Sequence, residues 1–289
     1  MARLPGNEPL VAASGRELHT LREINGLGQA ERDRIYAGLI PPRLFELLGM
    51  SHETLRGSDG LGRVRIIAPE GIGLVRIEVR ARPDDRDTVF FLELADTPYR
   101  QMELAFCIIA DPHAPRFDVD RDAEGRSNYF ASQGRNVPEE IRAMAAGLFP
   151  NQTRHGLNLF GEFFPRFERF VDALGVEMIA AEPLTYDNAI RYEKYGFDYV
   201  TGKRLMLEID REFRPGGILH QRLDGSTPFR LPGAERTVRG RSWAIHDGIM
   251  DEPWDDVRIY KMIGIHAGVD TFPDRQNDPA GETRGGVRL

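Results

Sequence analysis

Three stretches of this sequence gather side chains that could do chemistry. Asp118, Asp120 and Asp122 alternate ahead of Gly125, as carboxylates do in loops that surround calcium with oxygen. Gly125 falls two residues later than such a loop needs, and Tyr129 stands where its closing glutamate would be. The alternative is an acidic hairpin turn. Asp111-Pro112-His113, just upstream, adds a carboxylate and an imidazole, donors suited to a substrate cleft or a metal-dependent enzyme. No metal ligand set is assigned, and His220, His246 and His266 have no ligand spacing. Arg236, Arg239 and Arg241 flank Trp243 and His246. Guanidinium groups beside an aromatic ring suit a carboxylate or phosphate. The competing reading is a surface strand and turn whose tryptophan packs on the main domain. The third stretch is Tyr192-Glu193-Lys194-Tyr195-Gly196-Phe197. Gly196 suits the left-handed residue that closes a helix, and Phe197 then enters a strand.

The elements that must position these residues follow from hydrophobic period. Residues 16–25 and 29–39 carry leucine and isoleucine at helical spacing, Pro41-Pro42 ends the run, and residues 42–50 predict a further turn or two. The period then shortens to two. Runs 63–67, 74–81, 88–94 and 102–110 predict an antiparallel meander, with turns at Pro69-Glu70-Gly71, Pro83-Asp84-Asp85 and Asp96-Thr97-Pro98. A hairpin is expected over 117–130, turning at 122–125. Residues 138–148 predict a helix with proline in its first turn. Residues 157–174, with five phenylalanines, predict an amphipathic helix that Pro165 kinks or divides. A strand at 176–181, a helix at 186–195 and strands at 198–200 and 205–209 follow. Beyond Phe213 the expected strands are short, at 242–246 and 257–264, and the polar tail after Asp274 has no pattern.

The order of these elements and the segment Asn188-Ala189-Ile190-Arg191 leading into Tyr192-Glu193-Lys194-Tyr195-Gly196-Phe197 resemble the GNAT (Gcn5-related N-acetyltransferase) superfamily, as a divergent, bacterial-type member. The resemblance covers roughly residues 152–209. It implies an α/β (α+β) fold, a mixed, mostly antiparallel sheet flanked by helices. Three segments are expected: N-terminal helices over 1–60, a GNAT-like core over 61–212 and a C-terminal extension over 213–289.

What the resemblance implies is chemistry on acetyl-CoA or another acyl-CoA as cosubstrate. In such proteins a loop and helix start bind the CoA diphosphate through backbone N–H groups and the helix dipole. The matching stretch is Gln152-Thr153-Arg154-His155-Gly156-Leu157-Asn158-Leu159. Cofactor-binding roles fall on Arg154, His155, Gly156, Leu157, Asn158, Leu159 and Asn188. Asn158 stands where a second small residue is usual, and Ala189 precedes Tyr192 by three residues rather than four. A carboxylate or water would take the amine proton and a tyrosine would protonate the leaving thiolate. By position the catalytic candidates are Glu103 and Tyr192. The implied function is transfer of an acyl group from acyl-CoA, or an acyl-carrier protein, to an amine of a small molecule or peptide. The rival readings are a GNAT-shaped protein that senses a ligand or assembles without catalysis, and a metal-dependent enzyme using His113 and the aspartates.

Composition narrows the partners. A net charge of −7 disfavours non-specific nucleic-acid binding, which needs an excess of phosphate-neutralising cations. All but three of the 38 basic residues are arginine, which fits either a GC-rich genome or a preference for bidentate anion contacts. The single cysteine, Cys107, excludes an intrachain disulfide and sits in an apolar run that predicts a buried, inert thiol. No apolar stretch approaches the ~20 residues that span a bilayer, and residues 1–10 lack a secretion-signal pattern. The expectation is a cytoplasmic protein with no membrane partner and a possible homodimer. There is no Gly-x-Ser-x-Gly elbow and no Gly-Lys-Ser/Thr phosphate loop.

Overall fold

The computed structural model describes residues 4–128 and 134–273. Tyr129, Phe130 and the tail from residue 274, to which the sequence assigns a loop position, a strand end and a patternless segment, lie outside the described residues. The strands are β1 (Val64–Ile67), β2 (Leu74–Val79), β3 (Phe90–Asp96), β4 (Met102–Ile109), β5 (Met178–Ala181), β6 (Asp198–Thr201) and β7 (Arg258–Met262). They form one open sheet in the order β1-β2-β3-β4-β5-β7-β6. The first four make an antiparallel meander, and β4 and β5 are parallel. The helices are α1 (Leu21–Asn25), α2 (Gln29–Ala37), α3 (Pro42–Leu47), α4 (Val137–Ala145), α5 (Phe160–Ala173), α6 (Tyr186–Glu193), α7 (Lys203–Phe213), α8 (Ile218–Gln221) and α9 (Val238–His246). The fold is therefore α/β, with a mixed, mostly antiparallel sheet and N-terminal helices. Among the described residues no helix is long and apolar enough to cross a membrane.

The chain packs into two compact units. The first holds Met1–His113, Gly156–Glu182 and Tyr260–His266; the second holds Ala114–His155, Pro183–Ile259 and Ala267–Leu289.

In the first unit the meander buries one face. Val75, Ile77, Phe90, Leu92, Leu94, Met102 and Leu104 are all buried, and so are Phe163, Phe164, Phe167 and Val171 of α5. Phe90 meets Phe163 edge to face at 5.7 Å. Each such side chain contributes about 2–3 kcal/mol of burial. The α5 helix runs unbroken through Pro165, so no second helix starts there. Pro165 and Gly161, whose carbonyl loses its ladder donor to the proline, both face solvent, where water can serve that oxygen. The N-terminal helices are pinned by polar contacts. The Asp96 carboxylate accepts from the Leu21 and Arg22 amides at the start of α1, each at 3.0 Å. Asn25 donates to the Ile72 and Leu74 carbonyls and accepts from the Tyr36 hydroxyl. Residues 16–20 are not helical as their spacing predicts, because Val11 and Glu17 form a bridge and Thr20 caps α1.

In the second unit Phe117, Val119, Ala143, Leu148, Phe229 and Trp243 form the core. Two expected strands are helices here. Residues 205–209 lie in α7, whose buried Met206, Ile209, Asp210 and Phe213 follow helical spacing; the alternating Leu205, Leu207 and Ile209 only imitate a strand. Residues 242–246 lie in α9, which Thr237 caps by accepting from the Gly240 amide. All five residues from Arg241 to Ile245 are buried, so this helix has no polar face for the sequence to reveal. Among the described residues of the expected hairpin, 117–128, a tight turn carries one bridge, between Arg121 and Ser127.

Candidate functional site at the β4–β5 fork

The first unit contains a fork. Parallel pairing of β4 with β5 is confined to Met102↔Ile179 and Glu103↔Ala180. Strand β4 then runs on to Ile109, still paired with β3, while β5 ends at Ala181. At its far end Ala110 pairs with Gly156 in an isolated antiparallel bridge. The fork is thus bounded by β5 on one side of its opening and by the chain entering α5 at the other end. Ligands in open α/β sheets often bind beyond the carboxyl ends of the parallel strands.

A bulge accompanies the fork. Glu93 pairs with Phe106 and Leu94 with Leu104, so Ala105 is the extra residue in β4. Before it, Met102 and Leu104 share the core face with Leu94; after it, Cys107 and Ile109 share that face with Leu92 and Phe90. The opposite face carries Glu103, Phe106 and Ile108. The Phe106 ring meets Phe91 edge to face at 5.7 Å, and Phe91 lies under the Arg76 guanidinium. Cys107 is half-buried rather than buried, a correction to the sequence expectation. It lies beyond the last β4–β5 pair, where β5 no longer covers the strand.

Glu103 sits at the last paired position, on the face opposite the core, half-buried. Among the described residues its carboxylate makes no hydrogen bond or ion pair, so it is available to accept a proton. Gly156, Leu157, Asn158 and Leu159 belong to the same unit as Glu103. Asn158 holds a left-handed φ of 56°, a conformation asparagine tolerates better than most residues. Leu159 begins α5 without a side-chain cap, its carbonyl accepting from Glu162 and Phe163.

The remaining expected site residues, Arg154, His155, Asn188 and Tyr192, belong to the second unit. His155 is exposed. Arg154 donates from its guanidinium to the Ala114 carbonyl, which occupies part of the group expected to meet phosphate. Asn188 and Tyr192 ride on α6. The Tyr192 ring tilts against Phe197 at 4.9 Å, and its carbonyl accepts from Tyr195 and Phe197 as the helix closes at Gly196, φ 84°.

The acidic stretch serves arginines. Arg116 pairs with Asp118 and Asp120, and Asp122 holds Arg126 together with the Glu124 and Arg126 amides. His113 is exposed, its amide tied to the Asp111 carboxylate. Among the described residues no group of three His, Cys, Asp or Glu side chains could hold a metal ion.

Within the arginine–tryptophan stretch Arg236 is exposed, but residues 241–245 are a buried part of α9 rather than a surface strand. Trp243 donates to the Leu148 carbonyl at 2.9 Å, Arg241 pairs with Asp210, and His246 meets Glu140 at 3.1 Å. Burial works to raise the Glu140 carboxyl, but hydrogen bonds from His246 and Arg135 and their charge hold it below its ordinary range. Burial raises the Asp187 carboxyl in α6, against the opposing charge of Arg191 and a hydrogen bond from Ser242. It also pushes the Tyr186 phenol up to about 12.

Comparison with protein-family models, curated proteins and solved structures found no match to this chain. Sequence reasoning missed the bulge at Ala105 and the restriction of β4–β5 pairing to two residue pairs. The run Leu104–Ile109 is apolar throughout, so a change of facing left no polar mark. The only available signal was the shortness of the run 176–181 against the length of 102–110.

Proposed function

We propose that this protein is an acyltransferase that moves an acyl group from acyl-CoA, or an acyl-carrier protein, to an amine. The observation that carries the reading is that β4 outruns β5: their pairing ends at Glu103↔Ala180, β5 ends at Ala181, and β4 continues to Ile109. A strand that outruns its neighbour can pair with an extended ligand rich in amides, as in strand addition. The arm that bears the thioester of CoA has that chemistry, and so does the arm of a carrier protein. The expected GNAT cleft lies between diverging strands of this kind.

In the proposed reaction the amine nitrogen attacks the thioester carbonyl carbon, and backbone donors of β4 stabilise the oxyanion. Glu103 takes the proton from the attacking nitrogen. The C–S bond breaks as the carbonyl reforms, and the thiolate takes a proton from water. The products are an amide and a free thiol.

The test is a melting-temperature screen against CoA, acetyl-CoA and longer acyl-CoAs, with thiol release measured across an amine panel. Stabilisation by an acyl-CoA, lost in Gly156→Glu, is expected. Glu103→Gln should lower turnover by about 10²–10⁴-fold, the usual weight of a general base, with binding retained. No stabilisation by any acyl-CoA would refute the proposal. Engagement of Arg154 by the Ala114 carbonyl favours one other reading, a ligand-sensing protein without catalysis. Its outcome would be binding of acyl-CoA with no thiol released for any amine.

A further inference from the structure

A cavity of about 270 Å³ opens in the second unit, its lining including Met144, Phe229, Leu231, Thr237, Arg239 and Trp243. Its walls are mostly apolar, with Phe229 and Trp243 almost fully buried behind them. Phe229 and Trp243 stack at 5.2 Å with 19° between their planes, and the Trp243 bond to Leu148 fixes that ring. Two polar groups join them. The Thr237 hydroxyl oxygen accepts from the Gly240 amide, leaving its own proton to donate. Arg239 is half-buried and donates Nη1 to the Gly147 carbonyl at 3.2 Å.

What sets Arg239 apart is its charge. Arg241 pairs with Asp210, Arg135 with Glu140 and Asp247, Arg230 with Asp247, and Arg236 with Glu235. Arg239 makes no ion pair among the described residues. A guanidinium partly withdrawn from water, next to an apolar cavity, has a charge that an incoming anion can satisfy.

We propose that this cavity is a binding site for a small organic carboxylate with an aromatic or compact apolar body. The carboxylate meets the Arg239 fork, whose planar donors match its two oxygens. The body lies against Met144 and Leu231, over the buried Phe229 and Trp243. The space equals roughly nine water molecules, room for one ring and a short chain. Pockets of this type combine apolar walls with a few polar groups that fix orientation. The site stands apart from the acyl-transfer reading and does not depend on it.

The experiment titrates the full chain, by calorimetry and by tryptophan fluorescence, with phenylacetate, benzoate and hexanoate at matched ionic strength. Phenylacetamide serves as the neutral counterpart. At least one carboxylate should saturate with Kd on the order of 1 mM or tighter. It should change the emission of Trp243 in the Trp254→Phe variant and lose about tenfold or more in Arg239→Gln. Phenylacetamide should bind more weakly than phenylacetate. The proposal is overturned if no carboxylate saturates below about 10 mM. It is equally overturned if Arg239→Gln melts like the parent yet binds as well. Should that variant fail to fold, the parent chain decides: equal affinity for phenylacetate and phenylacetamide overturns the proposal.

Discussion

The buried pair Arg241–Asp210 carries a prediction whose size follows from its geometry. Their side chains are 5% and 9% exposed, and Arg241 Nη1 donates to Asp210 Oδ1 at 2.9 Å. Arg241 Nε also donates to the Glu235 carbonyl at 2.7 Å, and its guanidinium lies 4.4 Å from the Phe272 ring centre. The other Asp210 oxygen already accepts from Arg214. The two partners are therefore unequal. Asp210→Asn strands a buried cation and should cost about 3–5 kcal/mol. Arg241→Met leaves Asp210 with Arg214. It loses a charged hydrogen bond of about 1.5–3 kcal/mol and a ring contact of about 1 kcal/mol, partly offset by methionine packing. We expect about 2–3 kcal/mol. The double variant removes the stranded cation, so its cost should fall short of the sum by about 2 kcal/mol. Urea titration followed by fluorescence of Trp243 and Trp254, both in the second unit, measures all three. Strict additivity, or a cost for Asp210→Asn below that for Arg241→Met, would refute the reasoning. Ser242, the next residue of α9, donates to Asp187 in α6, the helix that carries Asn188 and Tyr192.

Three further outcomes are expected. Glu140→Gln should cost about 2–4 kcal/mol at pH 7, since Glu140 is 1% exposed and accepts from Arg135 and His246. Its folded carboxyl sits below the ordinary 4.5, so this stability is complete above that pH and is lost as pH falls through the lower folded value, which acid titration of both proteins will show. Asp187 has the opposite sign. Its folded carboxyl sits above 3.8, so the folded state holds its proton more tightly and stability falls as pH rises through that window. Asp187→Asn should therefore raise the melting temperature at pH 7, with the gain vanishing below pH 3.8. Gly240→Ala should destabilise α9, although alanine favours helix by about 1 kcal/mol. A Cβ there would stand 2.3 Å from the Ala234 carbonyl oxygen, a clash worth about 1–3 kcal/mol or more, and a thermal melt reads the sign.

Local pattern was enough for much of the architecture. The period-two runs located β1 to β4, and phenylalanines at helical spacing located α5, because each of these elements has one buried face and one wet one. Gly196 marked the end of α6, since its positive φ is a local demand on the backbone. Where burial is not one-sided, pattern failed. Helix α9 is buried on all sides along residues 241–245 and left no amphipathic trace. The roles of the charged residues were equally hidden. Glu140 and His246 stand 106 residues apart and Arg241 and Asp210 stand 31 apart, distances across which only folding brings side chains together.

The candidate site divides along the same line. The resemblance carried by the Asn188–Phe197 segment suggested the chemistry to look for, and the apolar run 102–110 placed Glu103 on a strand. Sequence alone did not show that β5 leaves β4 after two residue pairs, that Ala105 turns the strand over, or that Gly156 returns to pair with Ala110. Those are facts of strand pairing, set by how much backbone each neighbour supplies. Side-chain types determine which segments become strands and helices; where two strands part is decided by the packing of the whole chain around them.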